Sequence, residues 1–378
     1  VLEMLAVTLS RDARARAVQL PTWNEALGLP RPWDQQWALR MQQVLAYETD
    51  LLEYEDLFDG SRVVEARVTE ITAGARAEID RVQGMGGAIA AVESGYMKSQ
   101  LVSSLAARRR RIEGGEDVIV GVNRFTETDP SPLQADGARA IESVDPEAEA
   151  RVIEAVRSWR ADRDRAAVES VLHRLVEAAK TDANLVEASM ACARAGVTTG
   201  EWAQALREVF GEYRAPTGIA GASAAGAAGD AIARVRDRVR SVGEQLGERL
   251  RILVGKPGLD GHSNGAEQVA VRARDVGFEV IYQGIRLTPA EIVAAAVAED
   301  VHVVGLSVLS GSHLEVVPAV IDGLRAAGAG EVPVVVGGII PLHDAEALRA
   351  CGVAKVFTPK DFELTDIMDQ IVDLIRPR

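Results

Sequence analysis

The chain has 378 residues, more than one ordinary domain holds, so two or three domains are expected. With 47% hydrophobic and 26% charged residues it reads as a soluble globular protein; its net charge of −14 argues against a nucleic-acid partner, and no apolar stretch approaches the roughly 18 residues that would span a membrane. Cys192 and Cys351 lie too far apart to form a motif and point to reduced thiols in a cytoplasm, while the opening Val1-Leu2-Glu3-Met4 predicts no signal peptide and, lacking an initiator Met, a chain that starts inside a longer protein.

Residues 1–60 mix an apolar stretch, a Pro-bounded segment and a helix-like run over 35–47. Glu25 and Asp34 read there as loop caps. Residues 61–213 carry charged, Ala-rich helical patterns such as 63–82 and 147–179. The basic run 108–111 reads as a solvated helix face, and His173 as a solvent-facing helix residue. Residues 215–229 are rich in Ala, Gly and Ser with Pro216 near their start, the composition of a linker, and a charged helix over 230–246 leads out of it.

From residue 250 the pattern changes to short apolar runs alternating with amphipathic segments of about a dozen residues, the βα repeat of a parallel sheet. Strands are predicted at 251–254, 279–282, 302–308, 333–336 and 354–357. Thr288-Pro289-Ala290-Glu291 forms a capping box with Pro at the first helical position, and Gly352 fits a helix end. Five strands and five helices in about 130 residues predict a flavodoxin-like α/β domain. In its usual strand order, 2-1-3-4-5, a ligand sits over the carboxyl ends of strands one and three.

Three loops fall on that face. The loop Lys256-Pro257-Gly258-Leu259-Asp260-Gly261-His262-Ser263-Asn264-Gly265 follows strand one and offers an imidazole with a carboxylate two residues earlier. Ser307-Val308-Leu309 ends strand three, and Gly337-Gly338 ends strand four. Gly305, Gly311, Gly337 and Gly338 remove side chains where something wide must lie flat. One His beside one carboxylate is too few ligands for zinc, whereas a metal held by a macrocycle needs only an axial ligand, with Asp260 orienting the ring. That combination points to a corrinoid or a haem, and the glycine-floored slot favours the corrinoid. A flavodoxin-like regulator would instead want an Asp ending strand three, where this chain has Ser307. His302 and His343 read as structural; His313 lies close enough to line the crevice.

Asp260-x-His262-x-x-Gly265, with Ser307-x-Leu309 and Gly337-Gly338, resembles the cobalamin-binding domain of enzymes that bind the cofactor with its own base displaced. Lys256, four residues before Asp260, and the wording of the whole loop resemble the acyl-CoA mutase branch rather than methyl carriers. Upstream, the stretch 20–30 (Leu-Pro-Thr-Trp-Asn-Glu-Ala-Leu-Gly-Leu-Pro) is similar to the late-barrel signature of the methylmalonyl-CoA mutase family. Gly84-Met85-Gly86-Gly87, Gly95-Tyr96-Met97-Lys98 and Val118-Ile119-Val120-Gly121-Val122-Asn123-Arg124 resemble the helical extension behind that barrel.

This resemblance implies a fold of α/β class in four parts. A truncated (β/α)8-barrel edge is expected over 1–60, a helical extension over 61–213, a linker and linker helix over 214–247, and the five-stranded cobalamin-binding domain over 248–378. A complete barrel needs roughly 250 residues, so most of the substrate site is expected outside this chain. The resemblance implies adenosylcobalamin as cofactor, with His262 the cobalt ligand and Asp260 and Lys256 acting behind it. Gly261, Ser263, Gly265, Ser307, Leu309, Gly337, Gly338 and Thr358 complete the implied cofactor site. The implied reaction is radical carbon-skeleton rearrangement of an acyl-CoA, ethylmalonyl-CoA to methylsuccinyl-CoA, in a cytoplasmic homodimer. Methylmalonyl-CoA and isobutyryl-CoA remain alternative substrates, and a non-catalytic corrinoid carrier remains the alternative from another class.

Overall fold

The computed structural model describes residues 2–13, 15, 17–25, 29–127, 129, 145–218, 230–309 and 311–375. Residues 219–229 of the expected linker, 26–28 of the barrel-like signature and 130–144 of the helical extension lie outside this set, as does the side chain of His343. The chain forms two compact units, one from residues 1–142 with 215–378 and one from 143–214.

The smaller unit is built from helices α6 (Pro146–Asp162), α7 (Arg165–Ala179), α8 (Leu185–Arg194) and α9 (Thr199–Phe210). Its apolar centre joins Val171, Leu175, Cys192 and Ala205. Thr198 and Glu201 form a capping box at the start of α9, and Arg163 pairs with the same Glu201 at 2.5 Å. The side chain of Glu201 is thus spent on fixing a helix start.

In the larger unit, α1 (Leu2–Leu9), α2 (Pro32–Tyr47), α3 (Arg62–Gly84), α4 (Ala88–Glu93) and α5 (Tyr96–Glu113) come first, followed after the smaller unit by α10 (Asp230–Leu246). The described residues before 250 form no strand, and those of the stretch 1–60 contribute the helices α1 and α2. A parallel sheet follows, with strands β1 (Arg251–Gly255), β2 (Glu279–Tyr282), β3 (Val303–Val308), β4 (Val334–Gly338) and β5 (Lys355–Phe357) in the order β2-β1-β3-β4-β5. The intervening helices are α11 (Asn264–Asp275), α12 (Pro289–Ala298), α13 (His313–Ala326), α14 (Leu342–Cys351) and α15 (Leu364–Val372).

Ile252, Leu253 and Val254 are each at most 1% exposed, because strands covered on both faces are apolar without alternation. One face packs under α10, α11 and α15 through Val235, Val239, Ala270, Met368 and Ile371; the other packs under α12, α13 and α14 through Ile292, Val320 and Leu348. Val102 of α5 belongs to the first of these layers. The Thr288–Glu291 capping box forms with Pro289 at the first helical position, and Gly352 ends α14 in the left-handed conformation at φ +117°.

The basic run on α5 is not a uniformly solvated face. Arg109 turns in to the carbonyl of Phe362 and pairs with Glu113 at 3.1 Å, while Arg272 of α11 reaches the other oxygen of Glu113 at 3.0 Å. Phe362 and Arg272 lie far along the sequence from α5, so a run of Arg gave no sign of them.

Candidate functional site

The site forms where the sheet order reverses, over the ends of β1 and β3. The first turn after β1 is pinned before the loop departs: Leu287 N–H donates to the Lys256 carbonyl at 3.1 Å, and Gly258 N–H to the Leu287 carbonyl at 3.0 Å. Gly258 then turns the chain at φ +85°, a conformation that side chains disfavour. These constraints bury Lys256 to 1% exposure and aim its Nζ at Asp260 Oδ2, 2.6 Å away.

Asp260 Oδ1 accepts the His262 backbone N–H at 2.9 Å and lies 2.6 Å from His262 Nδ1. Burial works to raise the Asp260 pKa, but the Lys256 ammonium and the two bonds from His262 outweigh it and hold it at about 2. An ionised carboxylate can only accept, so the ring nitrogen that carries a proton toward Asp260 is Nδ1, and Nε2 lies outside that contact. The imidazole is 77% exposed while Asp260 is only 6% exposed. The loop therefore presents an exposed imidazole that is oriented from behind through Nδ1. Among the described residues no cluster of three or more His, Cys, Asp or Glu is placed to hold a metal ion.

The other expected residues distribute around this centre. A Cβ on Gly265, in the first turn of α11, would lie in ordinary contact with Ser307 Oγ, 3.5 Å away, so the helix start and the strand end stand side by side. Ser307 pairs in register with Gly337, and Val308 with Gly338. A Cβ on Gly338 would come within 1.7 Å of the Val308 carbonyl oxygen, so no side chain fits there; Gly337 has only ordinary contact, 3.9 Å from Phe357 Cβ. A Cβ on Gly261 would stand 3.5 Å from the Arg286 guanidinium. Leu309 is half-buried just beyond β3. Thr358 follows β5, and both its N–H and hydroxyl donate to Asp361 Oδ2, at 2.8 and 3.2 Å, closing a turn.

His302 accepts from Arg251 N–H at 3.0 Å, a structural contact. His313 is buried with Nε2 2.7 Å from Asp344 Oδ2, and its Nδ1 has no hydrogen-bond partner. Asp34 is buried and accepts from Trp23, Asn24 and Arg31; the Arg31 guanidinium above all holds its carboxyl below the usual range.

Sequence reasoning missed Lys98, Glu267 and Tyr282. Lys98 Nζ donates to Ser263 Oγ at 2.7 Å and pairs with the buried Glu267 at 2.6 Å. Glu267 Oε2 and the Tyr282 hydroxyl are buried without a hydrogen-bond partner, and burial together with the Glu267 charge pushes the Tyr282 hydroxyl pKa up.

A parallel α/β domain with this loop at its switch point is the architecture of a B12-binding domain. The family model described as the B12 binding domain matches residues 250–364, and that described as methylmalonyl-CoA mutase matches residues 12–212. The chain belongs to the methylmalonyl-CoA mutase family. It is 58% identical over 375 residues to ethylmalonyl-CoA mutase of Cereibacter sphaeroides, covering 99% of this chain and 57% of that protein. It is 59% identical over 372 residues to ethylmalonyl-CoA mutase of Methylorubrum extorquens, covering 97% of this chain and 53% of that protein. Identity to the methylmalonyl-CoA mutase of Cereibacter sphaeroides is 36% over 357 residues, covering 93% of this chain and 49% of that protein. The chain thus spans about half the length of the curated relatives it matches.

Proposed function

We propose that this chain holds adenosylcobalamin for the radical rearrangement of an acyl-CoA, with ethylmalonyl-CoA converted to methylsuccinyl-CoA. The observation that carries the reading is the line Lys256–Asp260–His262, in which Nε2 lies outside the contact with Asp260. A corrinoid carries its own metal within its ring and would ask the protein for one nitrogen ligand, which this donor set could offer through His262. The side-chain-free stretch at Gly337 and Gly338, beside Ser307 and Gly265, suits the burial of its tail. Adenosylcobalamin would supply the radical that starts the rearrangement.

This chain's own residues do the rest. Lys256 keeps Asp260 ionised, and Asp260 holds the proton on Nδ1 and fixes the ring plane. His262 would bind cobalt, while Gly261, Ser263, Leu309 and Thr358 would border the cofactor. The greater identity to the two ethylmalonyl-CoA mutases than to the methylmalonyl-CoA mutase supports the choice of substrate. The reading includes a barrel portion over 1–60, an extension over 61–213, a linker over 214–247 and a cofactor domain over 248–378, in a cytoplasmic homodimer.

Titration of the protein with hydroxocobalamin and adenosylcobalamin tests the binding claim. A spectrum with the cofactor's own base displaced and a histidine on cobalt is expected from the wild type and is lost in His262→Ala. A wild-type spectrum without a histidine ligand overturns the reading. Turnover of ethylmalonyl-CoA against methylmalonyl-CoA and isobutyryl-CoA by the full-length protein tests the substrate. Cobalamin binding with no turnover of any of the three would leave a non-catalytic corrinoid carrier.

A further inference from the structure

Ser263 stands immediately before α11, the position where a serine hydroxyl normally accepts from the N–H two or three residues on. Here it makes no such cap. Its Oγ accepts instead from Lys98 Nζ at 2.7 Å, across 165 residues of sequence. The same ammonium pairs at 2.6 Å with Glu267, whose side chain is 2% exposed, one turn further along α11. Lys98 therefore grips the first turn of α11 at two points, beginning one residue after His262.

The grip is backed along the helix. Gln268 Nε2 donates to the Val102 carbonyl at 3.2 Å, and Arg272 pairs with Glu113 at 3.0 Å. α5 and α11 thus run side by side from Lys98 to Glu113. The chain after the smaller unit crosses directly over the lysine: a Cβ on Gly218, at φ +70°, would come within 2.8 Å of Lys98 Cγ. Three segments distant in sequence meet on this side chain. The segment carrying it lies within the stretch matched by the mutase family model, while the loop it holds lies within the B12-binding match.

We propose that Lys98 is a positioning residue for the axial histidine: it ties the end of the His262 loop to α5, so that the ring stands at a fixed place over the crevice. The proposal rests on the reading of His262 as a cobalt ligand for its consequence, but not for its geometry. Lys98 touches neither His262 nor Asp260, and acts through Ser263 and the first turn of α11. Its second partner, Glu267, offers the bland alternative that Lys98 serves only to neutralise a buried carboxylate, and the experiment must separate the two.

Lys98→Met leaves Glu267 buried without its cation, whereas Lys98→Met with Glu267→Gln removes both charges and the tie to Ser263 together. Amide exchange in the cofactor-free protein reads the loop directly. Exchange of the His262 N–H, now bonded to Asp260, is expected to quicken about tenfold in the double variant even where its melting temperature returns to that of the wild type. In the cobalamin-loaded protein, the same double variant should show a diminished histidine-on-cobalt signature and roughly tenfold weaker binding. Lys98→Arg, which keeps charge and donors, should restore most of both.

Restoration of loop protection and of the histidine-on spectrum by the double variant would show that charge balance is the whole role, and would overturn the inference. Wild-type loop protection in Lys98→Met would overturn it as well. A wild type that never shows a histidine-on spectrum would instead defeat the proposed function, with the exchange measurement still deciding the role of Lys98.

Discussion

Asp260 serves two neighbours through separate oxygens, Oδ2 to Lys256 and Oδ1 to His262, and this division orients the imidazole through Nδ1. Its folded pKa of about 2 lies below the unfolded value near 4, so the sign of its pH dependence follows. The stabilisation is fully present above about pH 4 and is lost as pH falls toward 2, amounting to on the order of 2 kcal/mol. Denaturant melts of the cofactor-free wild type and Asp260→Asn should differ by a margin that narrows below pH 4 and closes near pH 2. A margin independent of pH would show that the carboxylate's charge does not hold the loop. At neutral pH, Asp260→Ala should weaken cobalamin binding by about ten- to a hundredfold, read by spectroscopic titration; unchanged affinity would remove Asp260 from the axial arrangement. Lys256→Met should cost roughly 3–5 kcal/mol, because it leaves that carboxylate buried without a cation.

The two glycines that end β4 look alike in sequence but separate sharply in space. Gly338 faces the Val308 carbonyl of β3, and any Cβ there collides with backbone that cannot step aside. Gly338→Ala should therefore part the ends of β3 and β4 and cost about 3 kcal/mol or more in a denaturant melt. Gly337→Ala meets only ordinary contact, so it should stay within about 1 kcal/mol of the wild type while lowering cobalamin affinity. Equal destabilisation by the two changes would defeat this distinction. At this scale the amino-acid sequence conveys some arrangements and hides others. The five strands are legible in it because both faces of the sheet are covered, so runs such as Ile252–Leu253–Val254 carry no polar interruption. The gathering of Lys256, Asp260 and His262 is legible because all three lie in one loop. Lys98 is not, since a lysine within a helix full of charged residues signals nothing until the fold sets it against Ser263. Glu267 is equally hidden: its place on an amphipathic helix reads as solvent, and only α5 laid over it makes it buried. Thr358 shows the limit in another form, because its hydroxyl is engaged by Asp361 in a turn that spacing alone does not announce.

At the scale of the whole molecule, composition divides the chain into successive blocks, but contacts group it differently. α5 supplies Val102 to the core beneath β1 and β3, so the sheet's apolar layer is completed by a helix that precedes the smaller unit in sequence. The smaller unit closes its own core around Leu175 and Cys192 and fastens its helices with Arg163 and Glu201. Two units with separate cores need not unfold together, and a ligand stabilises only the unit that binds it. Calorimetry of the cofactor-free protein should accordingly resolve two transitions. Cobalamin at about a hundred times its dissociation constant should stabilise the unit that contains the sheet by about 2.7 kcal/mol and leave the other transition where it was. Lys98→Met with Glu267→Gln should shrink the cobalamin-dependent shift alone, because it weakens binding without touching the smaller unit. If both transitions instead moved together with cobalamin, the two units would be thermodynamically one, and the four helices of residues 145–214 would have to be counted as part of the cofactor's support.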